Sequence, residues 1–296
     1  MLSSAQIGTS RCLPMPPEWL LKGRSGPLGS TFAPTAGPDG FRLRRDRNKI
    51  RVADFVSLSG PAGIWGPCAT NSTLLAASEI NRRGGILGRE IEVVFHDAGA
   101  SIENVVRTAT DMVASEDADI VMGSHMSAVR LALRKVVAGR IPYVYTPVYE
   151  GGERTPGVMA IGETPGTQWR PAIEWLANTK HSSRWYLIGS DYVWPWLSHK
   201  AVKKYIRDAG GHVLGEEFVP IGEHDHSRQL ERIRAAKPDV VLVTLIGADS
   251  IVFNRAFAEQ GLGSRMLRLA GAMDETVLLG IGAGHFLDCD AGFLSG

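Results

Sequence analysis

Cysteine is scarce: Cys12, Cys68 and Cys289 are the only three in 296 residues. Their odd number and wide spacing exclude a disulfide framework and a cysteine-based metal site. Long apolar runs are missing as well. No stretch approaches the ~20 residues a membrane helix needs, which excludes a membrane span. Charge of one sign is not in excess either, with 32 Lys and Arg against 31 Asp and Glu and a net charge of +1. That balance gives no reason to expect nucleic acid or an anionic membrane as partner. What is present is an ordinary globular composition, 44% hydrophobic and 21% charged. The chain is long enough for two domains.

Residues 1–48 have no helical or strand period and are rich in Pro, Gly and Ser. They are expected to be a disordered or misassigned extension. A secretory signal needs a basic start and then ~7–15 apolar residues; Trp19-Leu20-Leu21 is too short. The basic cluster Arg42, Arg44, Arg45, Arg47, Lys49 and Arg51 contains a twin arginine. The strand-like run Ile50–Ser57 and a Gly-Pro loop follow it, so a solvated lead-in to the first strand explains it better than a targeting signal. If the printed start is real, the expected location is the cytoplasm.

From Ile50 onward strands and helices alternate. Strands are expected at Ile50–Ser57, Glu90–Asp97, Asp119–Gly123, Ile141–Tyr145 and Gly157–Ile161. Helices are expected between them at Pro67–Arg83, Ile102–Ala114 and Ser127–Ala138. A second series follows, with strands at Arg184–Ser190, His212–Pro220, Asp239–Leu245 and Met266–Ala270. Its helices are expected at Thr167–Asn178, Leu197–Asp208, His226–Ala235 and Ala248–Gln260. Such alternation implies parallel sheets with right-handed crossovers. The halves echo each other. Glu79–Gly88 and Tyr205–Gly215 each close a helix with a glycine pair, and Asp119-Ile120-Val121-Met122 is matched by Asp239-Val240-Val241-Leu242. The expected division is 49–162 and 163–272, with 273–296 as the end of the second lobe and a truncated C-terminal segment.

Two loops carry most of the functional information. Gly123-Ser124-His125-Met126-Ser127 and Tyr145-Thr146-Pro147-Val148-Tyr149-Glu150-Gly151 each follow a buried parallel strand. Ligands bind at the carboxyl ends of such strands. These loops offer hydroxyls and aromatic rings without an evident nucleophile–base pair, so they suggest a protein that holds a small molecule without transforming it. No catalytic residue, metal or cofactor is expected.

Ser57–Pro61, followed by Glu79–Glu92, resembles the opening of the type I periplasmic binding proteins, which include the branched-chain amino acid receptors. Gly123–Ser127, Tyr145–Gly151 and Gly189–Pro195 are similar to the narrower aliphatic-amide and urea branch. The likeness spans roughly residues 50–280. It implies an α/β fold of two Rossmann-like lobes with an interlobe ligand cleft. It also implies a receptor for an aliphatic amide, urea or related amino acid, closing by a hinge and serving an ABC importer in the periplasm. The alternatives are a cytoplasmic amide sensor acting on a regulatory partner and, less favoured, an enzyme. The implied partners are the ligand and a transporter permease or regulator.

The resemblance places Ser59, His125, Ser127, Tyr145, Thr146, Tyr149, Tyr192 and Thr244 at the ligand. Ser127 also suits a helix N-cap, and Tyr145 a buried aromatic with a satisfied hydroxyl. Glu150 is read as ordering its loop, and Trp65 and Trp194 as packing or rim residues. Asp249 either pairs a ligand ammonium or caps the helix beginning at Ala248. Glu223-His224-Asp225-His226 looks metal-like, but a cap by Asp225 and a solvated histidine pair explain it better. Gly280-Ile281-Gly282-Ala283-Gly284 does not directly follow a strand, as a dinucleotide loop must.

Overall fold

The computed structural model of the protein describes residues 48–285. Of the expected extension over 1–48 all but Asn48, an exposed turn residue, lies outside the described residues, as do its twin arginine, Cys12, Cys289 and the segment 286–296.

Among the described residues, nine strands form two wholly parallel sheets. The first contains β1 (Lys49–Val56), β2 (Glu90–Asp97), β3 (Ile120–Ser124), β4 (Tyr143–Tyr145) and β5 (Val158–Ala160), in the order β2-β1-β3-β4-β5. The second contains β6 (Arg184–Ser190), β7 (His212–Val219), β8 (Val240–Thr244) and β9 (Leu267–Ala270), in the order β7-β6-β8-β9. The second order repeats the first, strand for strand, without the fifth. Helices α1 (Gly66–Arg82), α2 (Ile102–Ser115) and α3 (Ser127–Val137) serve the first sheet. Helices α4 (Pro165–Lys180), α5 (Val193–Asp208), α6 (Ser227–Ala236), α7 (Gly247–Glu259) and α8 (Glu275–Ile281) serve the second. The fold is therefore α/β in two lobes, as expected.

The sequence echo has a physical cause. Asp119, just before β3, accepts the Arg51 backbone N–H of β1 at 2.9 Å. Asp239, just before β8, accepts the Arg184 N–H of β6 at 2.9 Å and that of Ser183 at 2.9 Å. Each aspartate fastens the start of one lobe's central strand, where the ladder leaves a donor unpaired. The glycine pairs are less alike: Gly84 and Gly85 both take positive φ, at 95° and 76°, whereas only Gly210 does so in the second lobe.

Three helices differ from expectation. Helix α4 begins at Pro165 and carries Pro171 inside it. Helix α5 begins at Val193 with Pro195 in its first turn, where the missing N–H costs nothing because first-turn donors have no helical partner. Helix α8 was not foreseen at all. Asp274 caps it by accepting the Val277 N–H at 3.0 Å, and the glycine pattern at 280–284 straddles its end.

Apolar residues of the first lobe pack directly against the second. The short 3-10 turn Pro61–Trp65 sends Ile64 and Trp65 against the α7 side of the second core. Met126 and Val148 meet its other face.

Candidate functional site

A cavity of about 340 Å³ lies between the carboxyl ends of the two sheets. In the first sheet the chain leaves β1 and β3 toward opposite neighbours. This is the switch point where open α/β sheets take ligands. Ser57 comes from the β1 end, and Ser124, His125 and Ser127 from the β3 end. Tyr145 and Thr146 add the end of β4. Across the gap stand Tyr192, Trp194, Ile246 and the segment Ala272–Asp274, while Trp65 and the exposed thiol of Cys68 complete the wall.

The polar side is held by its own hydrogen bonds. His125 is buried, with Nε2 2.9 Å from the Tyr143 hydroxyl and Nδ1 3.1 Å from the Met126 carbonyl. A carbonyl only accepts, so Nδ1 carries the proton and Nε2 accepts from Tyr143. Burial pushes the imidazole down to about 4, so the ring is neutral near pH 7. Gly123 makes room for it, because a Cβ there would fall 2.3 Å from Nε2. The Tyr145 hydroxyl donates to the His125 carbonyl at 2.7 Å, and the Thr146 hydroxyl to the Gly123 carbonyl at 3.0 Å. Burial raises the Tyr145 phenol, which stays protonated.

Two hydroxyls are left over. Ser57 and Ser127 are 3% and 2% exposed. The Ser57 Oγ has no hydrogen-bond partner, and the Ser127 Oγ has none of good geometry. The latter lies close enough to the Tyr145 phenol to act on it, lowering its pKa against the rise from burial. Ser127 is the first residue of α3 rather than its cap, which is Met126. It stands where a helix presents unpaired N–H groups and the positive end of its dipole. The opposite wall is mostly apolar. Its polar members are the Tyr192 phenol, raised by burial and by the nearby Tyr145 and Glu150, and the Asp274 carboxylate. Among the described residues, no Lys or Arg lines the cavity.

The profile of a family described as periplasmic binding protein matches residues 49–288. The chain belongs to the periplasmic binding protein family. Among curated relatives, a Leu/Ile/Val-binding protein of Rhizobium johnstonii is 26% identical over 217 residues, covering 71% of this chain and 55% of the relative. A leucine-, isoleucine-, valine-, threonine- and alanine-binding protein of Pseudomonas aeruginosa is 23% identical over 240 residues, 80% of this chain and 61% of that one. The chain thus spans little more than half the length of these relatives. Among solved structures, a Rhodopseudomonas palustris ABC-transporter solute-binding protein in complex with p-hydroxybenzoic acid superposes with a TM-score of 0.72. It is 19% identical, covering 80% of this chain and 66% of that one. A leucine-binding protein of Thermotoga maritima gives 0.68 at 18% identity, covering 79% and 67%. At these identities the structures show the shared fold.

In this periplasmic binding protein, five of the expected ligand residues line one cavity: His125, Ser127, Tyr145, Thr146 and Tyr192. Four lie outside it. The Ser59 hydroxyl donates to Asp97 at 2.6 Å on the exposed surface. Tyr149 packs edge-on behind Tyr145, 6.3 Å between centroids. The Thr244 hydroxyl is fully buried between His199, at 2.8 Å, and the Ile188 carbonyl. Asp249 sits in the first turn of α7 and accepts the Gly222 N–H at 2.9 Å, so it neither lines the cavity nor caps its own helix.

Sequence reasoning passed over Ser57 and Asp274 and took Trp65 and Trp194 for packing or rim residues. The missed cue for Asp274 is an acidic residue three positions before a helical Val, an N-cap signature. His226 is buried against Phe253 rather than solvated, whereas His224 is exposed. Asp225 accepts the Ser227 N–H at 3.0 Å. No group of three metal-ligating side chains converges among the described residues.

Proposed function

We propose that this periplasmic binding protein captures an aliphatic amide or an aliphatic amino acid by closing its lobes on it. The observation that carries the reading is the pair of buried hydroxyls on the polar side of the cavity, Ser57 with no partner and Ser127 with none of good geometry, the nearby Tyr145 phenol included. A buried polar group without a partner costs about 1–3 kcal/mol. A carboxamide or carboxylate head satisfies both hydroxyls and meets the positive end of α3. The ligand's NH2 or ammonium faces Asp274. Its aliphatic body lies against Trp65, Met126, Ile246 and Met273. Urea, which the sequence reading also allowed, leaves that apolar wall without a partner and is the least favoured of the three.

The protein is proposed to act in the periplasm, handing its ligand to an ABC-transporter permease, and not as an enzyme. Closure follows from differential affinity, because the ligand touches both lobes only when they are together. A second reading, an aromatic carboxylate, is favoured by Trp65, Tyr192 and Trp194 and by similar solute-binding proteins solved in complex with benzoate and p-hydroxybenzoic acid. Against it stand Asp274 and the lack of any cation in the wall.

Thermal unfolding with acetamide, butyramide, urea, leucine, valine and benzoate tests the proposal. A binder at a hundred times its Kd adds about 2.7 kcal/mol. Stabilisation by butyramide or leucine, without release of ammonia from the amide, is expected. Stabilisation by benzoate alone would transfer the assignment to aromatic acids.

A further inference from the structure

Behind the polar wall, outside the cavity, lies a buried ion cluster that the ligand contacts do not account for. Arg130 projects from α3 with its side chain only 2% exposed. Its two terminal nitrogens are bound by different carboxylates, Nη2 by Glu150 and Nη1 by Glu153, themselves 3% and 2% exposed. Arg134 adds a second arginine to Glu153 at 3.2 Å. The Arg130 guanidinium carbon also lies 5.4 Å from the ring centre of Tyr145 and 5.3 Å from that of Tyr149.

Stability alone is a poor explanation for such a cluster. Buried ion pairs gain little over apolar residues of the same volume, because desolvation offsets the attraction. Geometry explains it better. The planar fork ties α3 to the segment carrying Tyr149, Glu150 and Glu153, and cation–π contacts hold both tyrosine rings. Tyr145 in turn holds the His125 carbonyl, and with it the loop that presents Ser127.

We propose that Arg130 is a positioning residue for ligand binding. It never touches the ligand, but it fixes Tyr145 and the β4–β5 loop so that the polar wall is preformed. The inference rests on the reading of the cavity as the ligand site. Glu150, whose remaining oxygen, Oε2, is buried without a partner, also lies near enough to Tyr192 of the second lobe for its charge to raise that phenol.

Two variants test this. Arg130→Lys keeps the charge and loses the fork. The triple variant Arg130→Met, Glu150→Gln, Glu153→Gln removes the cluster without stranding a buried charge, and it replaces the lysine variant should that fail to fold. The first readout is hydrogen exchange at the Thr146 and Tyr149 amides, bonded to the Gly123 and Glu163 carbonyls at 3.0 and 2.9 Å. The second is the affinity for leucine or butyramide, whichever stabilises the wild type.

Exchange at those two amides is expected to quicken at least roughly tenfold while Leu187 and Val243 in the second sheet stay unchanged. Affinity is expected to fall with it. Unchanged exchange at Thr146 and Tyr149, or equal quickening at all four amides, overturns the proposal. Should no compound bind the wild type, the ligand reading fails and the exchange data still decide the role of Arg130.

Discussion

A hydroxyl buried without a partner and a hydroxyl buried with one are the same residue type, and the sequence does not tell them apart. Ser127 follows the end of β3 and Thr244 ends β8, yet Ser127 opens onto the cavity while His199 turns the Thr244 side chain inward. Ser57 and Ser59 lie two residues apart, but Asp97 occupies only the second. Such choices depend on a neighbour 38 or 45 positions away, which no local pattern encodes. Because a buried hydroxyl without a well-formed partner is itself costly, Ser127→Ala is expected not to lower the unfolding free energy of the ligand-free protein and to raise it by up to about 3 kcal/mol. Ligand affinity should drop by about 1–3 kcal/mol, the range for hydrogen bonds to neutral and charged groups. Titration calorimetry alongside guanidinium melts separates the two effects.

The buried imidazole of His125 makes a different prediction. Its folded value of about 4 lies below the ordinary 6.5. Between those pH values the unfolded chain binds a proton that the folded chain refuses. Its contribution is fully present above pH 6.5 and is lost as pH falls toward about 4, by at most about 1.4 kcal/mol per pH unit. His96, His199 and His226 are lowered in the same direction by burial. His125→Gln should therefore flatten the acid slope without abolishing it. Guanidinium midpoints measured from pH 7 to 4.5 check this; an unaltered slope would mean that His125 titrates normally.

Elements were more legible than contacts. Glu90–Asp97 and Arg184–Ser190 occupy the residues that the sequence assigns them; the second is buried over Trp185–Ser190 and reads as a nearly continuous apolar run, as a strand covered on both faces must. Helix starts were less visible at Pro165 and Pro195, although the start of α1 beside Pro67 was read to within one residue. The turn Pro61–Trp65 was hidden because its order comes from the element it rests on. There Gly247, the first residue of α7, has φ +51°, and a Cβ would lie 1.9 Å from the Pro61 carbonyl oxygen. Gly247→Ala is expected to push the turn off α7. Small-angle scattering of the ligand-free protein should show a larger radius of gyration, with Ile64→Ala, which introduces no backbone strain, moving it the same way. Compact scattering from both variants would show that this contact does not hold the lobes together.

At the scale of the whole molecule, the duplicated plan was readable because each lobe repeats one grammar, down to the aspartate that fastens its central strand. How the lobes meet was not readable. That arrangement depends on Ile64, Trp65, Met126 and Val148, whose apolar character looks like any core residue's until their partners across the gap are known.

The same meeting of lobes gives Cys68 a practical value. Its thiol is open to reagents yet belongs to the wall around the guest. With Cys12 and Cys289 replaced by serine, an environment-sensitive dye attached there would turn occupancy into a colour change and make the protein an optical gauge of its own cargo.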